Sequence, residues 1–161
     1  MSILFTRQPP EVTHALRKEF KHNNVAREFL RKLYATGALN PILHKIYLPG
    51  LLKGKAPKNF DIHHIQPLSG GGNNSLNNLC LIEKPLHRFL NKYCFDPALK
   101  DIVEGETVEI NVPDLPPVAL YRDFMPFIRK VLKQKKENKP PTHPLLHFPL
   151  KKLPSFQQWR K

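Results

Sequence analysis

FDIHHIQPLSGGGNNSLNNLCLIEKPLHRFLN, running from Phe60 to Asn91, gathers a histidine pair, a glycine triplet, an asparagine and a further histidine into one short unit. FDIHHI is apolar and β-tolerant. Strand geometry sends Phe60, Ile62 and His64 to one face and Asp61, His63 and Ile65 to the other. The adjacent histidines therefore diverge, which suits two tasks done from two directions, one imidazole as a ligand and the other handling a proton. Pro67 ends the strand because it brings no backbone donor. Gly70, Gly71 and Gly72 then predict a loop that turns sharply and leaves room for a phosphate or ribose. Asn78 to Ile82, NLCLI, predicts a second strand pairing with the first across that loop. Pro85 stands where a helix starts, with Leu86, Phe89, Leu90 and Tyr93 behind it at helical spacing. His87 and Asn91 are four apart and share a face of that helix.

His64 precedes Asn78 by 14 positions and Asn78 precedes His87 by 9, with PLSGGG between them, and in that spacing the unit resembles the HNH nuclease family. The resemblance covers about 32 residues, 60 to 91. It implies an α+β fold with a ββα-metal finger core, a two-stranded hairpin plus helix gripping one divalent cation, embedded in flanking helices. Roles follow from it as well. His64 falls at the position of the family's general base, and an imidazole with a pKa near 6.5 is largely neutral at physiological pH. His63 takes the place of the first metal ligand, often an aspartate in relatives, and His87 that of the helical ligand. Asn78 matches the middle asparagine, which braces the loop and orients the base through backbone hydrogen bonds. Some bacterial toxin relatives, such as the colicin DNases, carry a second histidine one turn after the helical ligand. Here that position is Asn91, either a third ligand or a helix-surface or capping residue. An amide oxygen is a weaker donor that suits a hard ion, so magnesium is the first expectation, with zinc, manganese or nickel as alternatives. Asp61 is expected behind the ligands or in solvent. Arg88 is either a phosphate contact or an ordinary exposed helical arginine. The other histidines, His14, His22, His44, His143 and His147, are assigned no role.

Composition points to a polyanionic partner. Twenty-six Lys and Arg against thirteen Asp and Glu leave a formal charge of +13 on 161 residues. Such a field attracts nucleic acid through counterion release, largely regardless of sequence, and does not itself separate DNA from RNA. No apolar run is long enough to span a bilayer and MSILFTRQPP does not have the form of a signal peptide, so no membrane insertion is expected. Cys80 and Cys94 form no CxxC pair. A reduced, buried role is expected over a zinc knuckle, although spacing alone leaves a disulfide open.

Four segments are expected within one compact domain. Residues 1–58 make a helical N-terminal part and a turn-rich connection, with helices over Glu11 to His22 and Asn24 to Thr36. In the second, Val25, Phe29 and Leu33 share a face opposite a basic rim of Arg27 and Arg31. Lys53, Lys55 and Lys58 lie near the entry to the first strand and are candidates for holding the substrate backbone, or else solubilising loop residues. Residues 59–95 are the finger. Residues 96–138 hold a short strand over Val108 to Val112 and a basic amphipathic helix from Tyr121 to Lys136, interrupted or bent near Pro126. Residues 139–161 form an extended Pro-rich tail.

The expected activity is phosphodiester hydrolysis, with DNA as substrate and RNA as the alternative, leaving a 5′ phosphate by resemblance. PLHRFLN looks closest to toxin-type members, so a bacterial toxin or effector is favoured over a phage or restriction enzyme. Such a protein would act in the cytoplasm, after delivery into another cell, and would be neutralised by an acidic immunity protein. The competing class is a metal-stabilised nucleic-acid-binding module without catalysis.

Overall fold

The computed structural model describes residues 2–39 and 49–137; the Pro-rich tail expected over 139–161 and residues 40–48 of the connection lie outside them. The fold is mixed α+β. In chain order it runs β1 (Ser2–Thr6), α1 (Pro10–His22), α2 (Val25–Ala35), β2 (Phe60–His64), β3 (Leu79–Glu83), α3 (Lys84–Leu90), α4 (Asp96–Leu99), β4 (Thr107–Asn111), β5 (Val118–Ala119) and α5 (Met125–Lys136).

β2 and β3 form an antiparallel hairpin, with Phe60 opposite Glu83 and His64 opposite Leu79. α3 starts directly after β3, with Pro85 in its first turn, where a missing N–H costs nothing. Lys84 N–H donates to the Asn59 carbonyl at 2.9 Å and ties this junction to the entry of β2. The helix does not stop at Leu90. It widens into a π-helical turn over Asn91–Phe95 and then tightens into α4.

β3 explains why LCLI is apolar at every position. Cys80 and Ile82 join one core with Phe5, Leu86, Leu90 and Ile128, whereas Leu79 and Leu81 join a second with Val25, Phe29, Leu30 and Leu33. A strand covered on both faces has no polar alternation. The sheet is thus sandwiched between α2 on one side and α3 with α5 on the other. Each of these fully buried aliphatic side chains contributes about 1.5–3 kcal/mol on leaving water.

Four expectations differ from what the structure shows. The two-stranded hairpin forms, but its sheet has a third strand: β5 adds to β3 in parallel, Leu81 opposite Val118 and Ile82 opposite Ala119, and the Leu81 N–H donates to the Pro117 carbonyl at 2.9 Å. The N-terminal part is not purely helical, because β1 pairs antiparallel with β4 from Ser2–Asn111 to Thr6–Thr107. The segment from Tyr121 to Lys136 is interrupted just before Pro126, as one of the two alternatives had it, and not bent there. A 3₁₀ turn over Tyr121–Phe124 precedes it and Pro126 lies in the first turn of α5, where proline is tolerated. The predicted second helix also starts one residue later, since Asn24 is left-handed (φ 57°) and reverses the chain between α1 and α2.

Cys80 and Cys94 are both free and buried, and burial pushes their thiols up to about 12 and about 11. Among the described residues, no helix is long and apolar enough to cross a membrane.

Candidate functional site

The pleat of β2 decides the site. Asp61 and His63 point toward α3, while His64 points toward α1, where its ring meets Phe20 edge-on at 5.0 Å between centroids. A cleft of about 500 Å³ joins the two sides, lined by Arg17 and Phe20 of α1, His63 and His64 of β2, Ser69, and His87 and Asn91 of the α3 face.

His63 is 6% exposed, and its Nε2 is buried without a hydrogen-bond partner. A buried polar nitrogen left unpaired costs roughly 1–3 kcal/mol, so this atom is poised for a ligand. Its ring lies 4.8 Å from that of His87, edge-on, and 5.7 Å from Phe95. Burial, with help from His87 and His64, lowers the His63 pKa to about 3. The imidazole is therefore neutral and keeps a lone pair, which is what a ligand requires.

His87 Nδ1 lies 3.0 Å from Asp61 Oδ2. A carboxylate only accepts, so Nδ1 is the donor in this bond. A carboxylate holding the far nitrogen of an imidazole is the usual backing of a metal-binding histidine. Asp61 thus stands behind the candidate ligand. Asn91 follows one turn later, with its backbone N–H still on the His87 carbonyl, and the π-helical turn begins there. Such turns recur at functional sites. Among the described residues, no group of three or more His, Cys, Asp or Glu is placed to hold a metal ion. Three imidazoles, those of His63, His64 and His87, line the cleft together with Asn91, and of these His63 carries the orphaned ring nitrogen.

On the other face, burial lowers the His64 pKa, opposed by the hydrogen bond between its Nε2 and Asn74 Oδ1 at 3.0 Å. Asn78 is a clamp. Its Oδ1 accepts from Gln66 N–H at 2.8 Å, while its Nδ2 donates to the carbonyls of Gln66 (3.0 Å) and Asn73 (2.8 Å). The side chain thereby extends the β2–β3 ladder past His64 and holds the loop closed.

The glycine triplet makes room for the protein's own atoms. A Cβ at Gly70 would collide with the Phe5 ring, and one at Gly72 with the Gln66 carbonyl. Only Gly71 needs its freedom of φ, at +91°. The space freed at Gly70 and Gly72 is filled by the protein itself.

Arg88, Lys53, Lys55 and Lys58 are exposed and do not line the cleft. Lys58 lies in the turn that leads into β2, at the end of the strand away from His63. The cation at the cleft is instead Arg17. Nothing local ties a helix near the N-terminus to the β2–β3–α3 unit, so the sequence does not single it out; the signal available is only its place beside Phe20 on α1. Asn74 is equally inconspicuous within the run NNSLNN, and Gln66, which also donates to the Leu4 and Gly70 carbonyls, has no distinguishing pattern.

The neutral His63 has a measurable consequence for the metal-free protein. Its folded pKa is depressed, so the unfolded chain takes up a proton first as pH falls below about 6.5, and stability is lost through a window running toward about 3. In chelator, stability at about pH 4.5 should be lower than at pH 7 by roughly 2 kcal/mol from this group, and His63→Phe should flatten the curve. Urea melts across that range check it.

No protein-family model matches the chain, and no solved structure matches it. The chain is 35% identical over 108 residues to the uncharacterized protein YhhZ of Escherichia coli strain K12. The match takes in 66% of this chain and 27% of that relative, so the chain spans about a quarter of its length.

Proposed function

We propose that this chain is a metal-dependent endonuclease of the HNH type, its hairpin and α3 acting as a ββα-metal finger that hydrolyses phosphodiester bonds of DNA. One observation carries the reading: the orphaned Nε2 of His63 lies beside His87, whose other nitrogen is held by Asp61. His63 and His87 would hold the ion, with Asn91 as a third donor. When bound, a divalent cation there supplies counter-charge for the phosphoryl group and the departing oxygen.

The chain's own residues supply the rest. His64 takes a proton from water as the water oxygen bonds to phosphorus; the bond from phosphorus to the 3′ oxygen breaks, and that oxygen is protonated from solvent. Asn78 keeps the backbone after β2 from shifting the base. Arg17 faces the substrate backbone from α1 and adds positive potential at the cleft mouth. The charge of +13 draws in a polyanion. Magnesium is the ion we favour, from the amide donor; two imidazoles suit zinc, manganese or nickel. The setting we propose is a bacterial toxin or effector acting in the cytoplasm of a recipient cell, restrained by an acidic immunity protein.

A second reading is favoured by the small donor set, which lacks a carboxylate on the ion: a metal-stabilised nucleic-acid-binding module that does not cut. Supercoiled plasmid, single-stranded DNA and structured RNA, each incubated with purified chain and magnesium, manganese, zinc, cobalt or nickel, separate these. Metal-dependent nicking abolished by chelator supports the nuclease, preferential loss of RNA moves the substrate, and binding without cleavage under every metal overturns it.

Arg17→Ala should weaken DNA binding and lower the slope of log affinity against log salt by about 0.9, the value of one phosphate contact. Fluorescence anisotropy across a salt series reads both.

A further inference from the structure

Asn74 Nδ2 lies 2.9 Å from the Leu16 carbonyl and 3.1 Å from Glu19 Oε2, both on α1. Neither atom can donate, so the amide must turn its NH₂ toward the helix and its oxygen toward His64. That oxygen, 3.0 Å from His64 Nε2, accepts only, which puts the ring proton on Nε2 and the lone pair on Nδ1. Phe20, one residue beyond Glu19, braces the same ring edge-on at 5.0 Å.

We propose that Asn74 is a positioning residue which fixes the proton-accepting nitrogen of His64 as Nδ1, and that α1, outside the finger, is thereby a working part of the site. The inference rests on the nuclease reading for its catalytic consequence, though the hydrogen-bond chain stands by itself. A base held by a third group is the common arrangement for an imidazole that must take a proton in one direction. Here the third group is an amide, and its orientation is set by a carboxylate and a helix carbonyl drawn from far earlier in the chain. When Nδ1 accepts a proton the ring becomes cationic, and its Nε2–H bond to Asn74 strengthens. Glu19, hydrogen-bonded to the other end of the amide, supports that charge through one intervening group.

The test uses the full chain with Asn74→Ala, Asn74→Asp and the pair Asn74→Asp with Glu19→Gln. Asn74→Ala should lower kcat for plasmid nicking by about 10- to 100-fold, the usual loss when the group behind a functional imidazole is removed, with KM for DNA changed less than about twofold. Asn74→Asp retains an acceptor for His64 but meets Glu19 with like charge, so it should be slow; Glu19→Gln restores a donor and should recover part of kcat. Nitrogen-15 NMR of the metal-free chain gives a readout that needs no activity: His64 should show one tautomer, protonated at Nε2, and a mixture in Asn74→Ala. A wild-type Nδ1–H tautomer overturns the hydrogen-bond chain. Unchanged kcat in Asn74→Ala, or equal loss in kcat, KM and melting temperature, overturns the positioning role. If the wild type cuts nothing with any metal, the nuclease reading fails and the positioning role with it, while the NMR result still decides the orientation of His64.

Discussion

In the nuclease proposed above, His64→Ala should slow plasmid nicking by roughly 10²- to 10⁴-fold, the range a positioned general base contributes, while the chain should still bind DNA and still fold. The half-buried ring packs on Phe20 and bonds Asn74, so its removal costs stability as well, on the order of 1 kcal/mol. That is too little to unfold a domain whose cores lie on both faces of β3. The separation of effects matters because His63 is its neighbour in sequence but faces the opposite side of the strand. His63→Ala should instead remove metal binding, measurable by calorimetry, whereas His64→Ala should leave it in place. Undiminished cutting by His64→Ala would remove this residue from the mechanism.

Gly72→Ala should lower stability by about 2–3 kcal/mol, enough to reduce the melting temperature by roughly 6–12 °C. The added methyl meets the Gln66 carbonyl, which is main chain and cannot rotate away. That carbonyl is also an acceptor for Asn78 Nδ2, so any retreat loosens the clamp next to His64. Gly105→Ala is the comparison. Gly105 has φ +81° and nothing within 4 Å of the place its Cβ would take, so only backbone strain of about 1 kcal/mol is added. Cutting should fall with stability in the first variant and persist in the second.

Much of the arrangement is legible in the sequence because it is local. Apolar alternation around Phe60 to His64, the proline opening α3 and the four-residue interval from His87 to Asn91 are short-range signals that tertiary structure preserves. The second of the two helices near the N-terminus is legible for the same reason, its apolar stripe of Val25, Phe29 and Leu33 facing a core. β1 is not. SILFT is five residues whose partner, TVEIN, lies beyond β2, β3 and α3, and no local feature of either names the other. β5 is two residues among prolines, too short for any periodicity to show. Lys53, Lys55 and Lys58 are near β2 in sequence, yet a strand carries its two ends far apart, which leaves Lys58 at the wrong end. Arg17 and Asn74 reach the site only because α1 packs against the loop after β2. A reading confined to the resembling segment has no reason to look there.

Phe5 fills the hollow that Gly70 leaves, and it arrives on a strand held in place by β4. The recognisable cassette is consequently not portable: residues 59–95 transplanted into another scaffold would bring both imidazoles, the asparagine clamp and the glycine loop, but would leave behind the ring on which that loop is moulded. A grafted version would need an aromatic side chain supplied from its new host beneath Gly70, and a helix carrying an acceptor pair to take the place of Leu16 and Glu19.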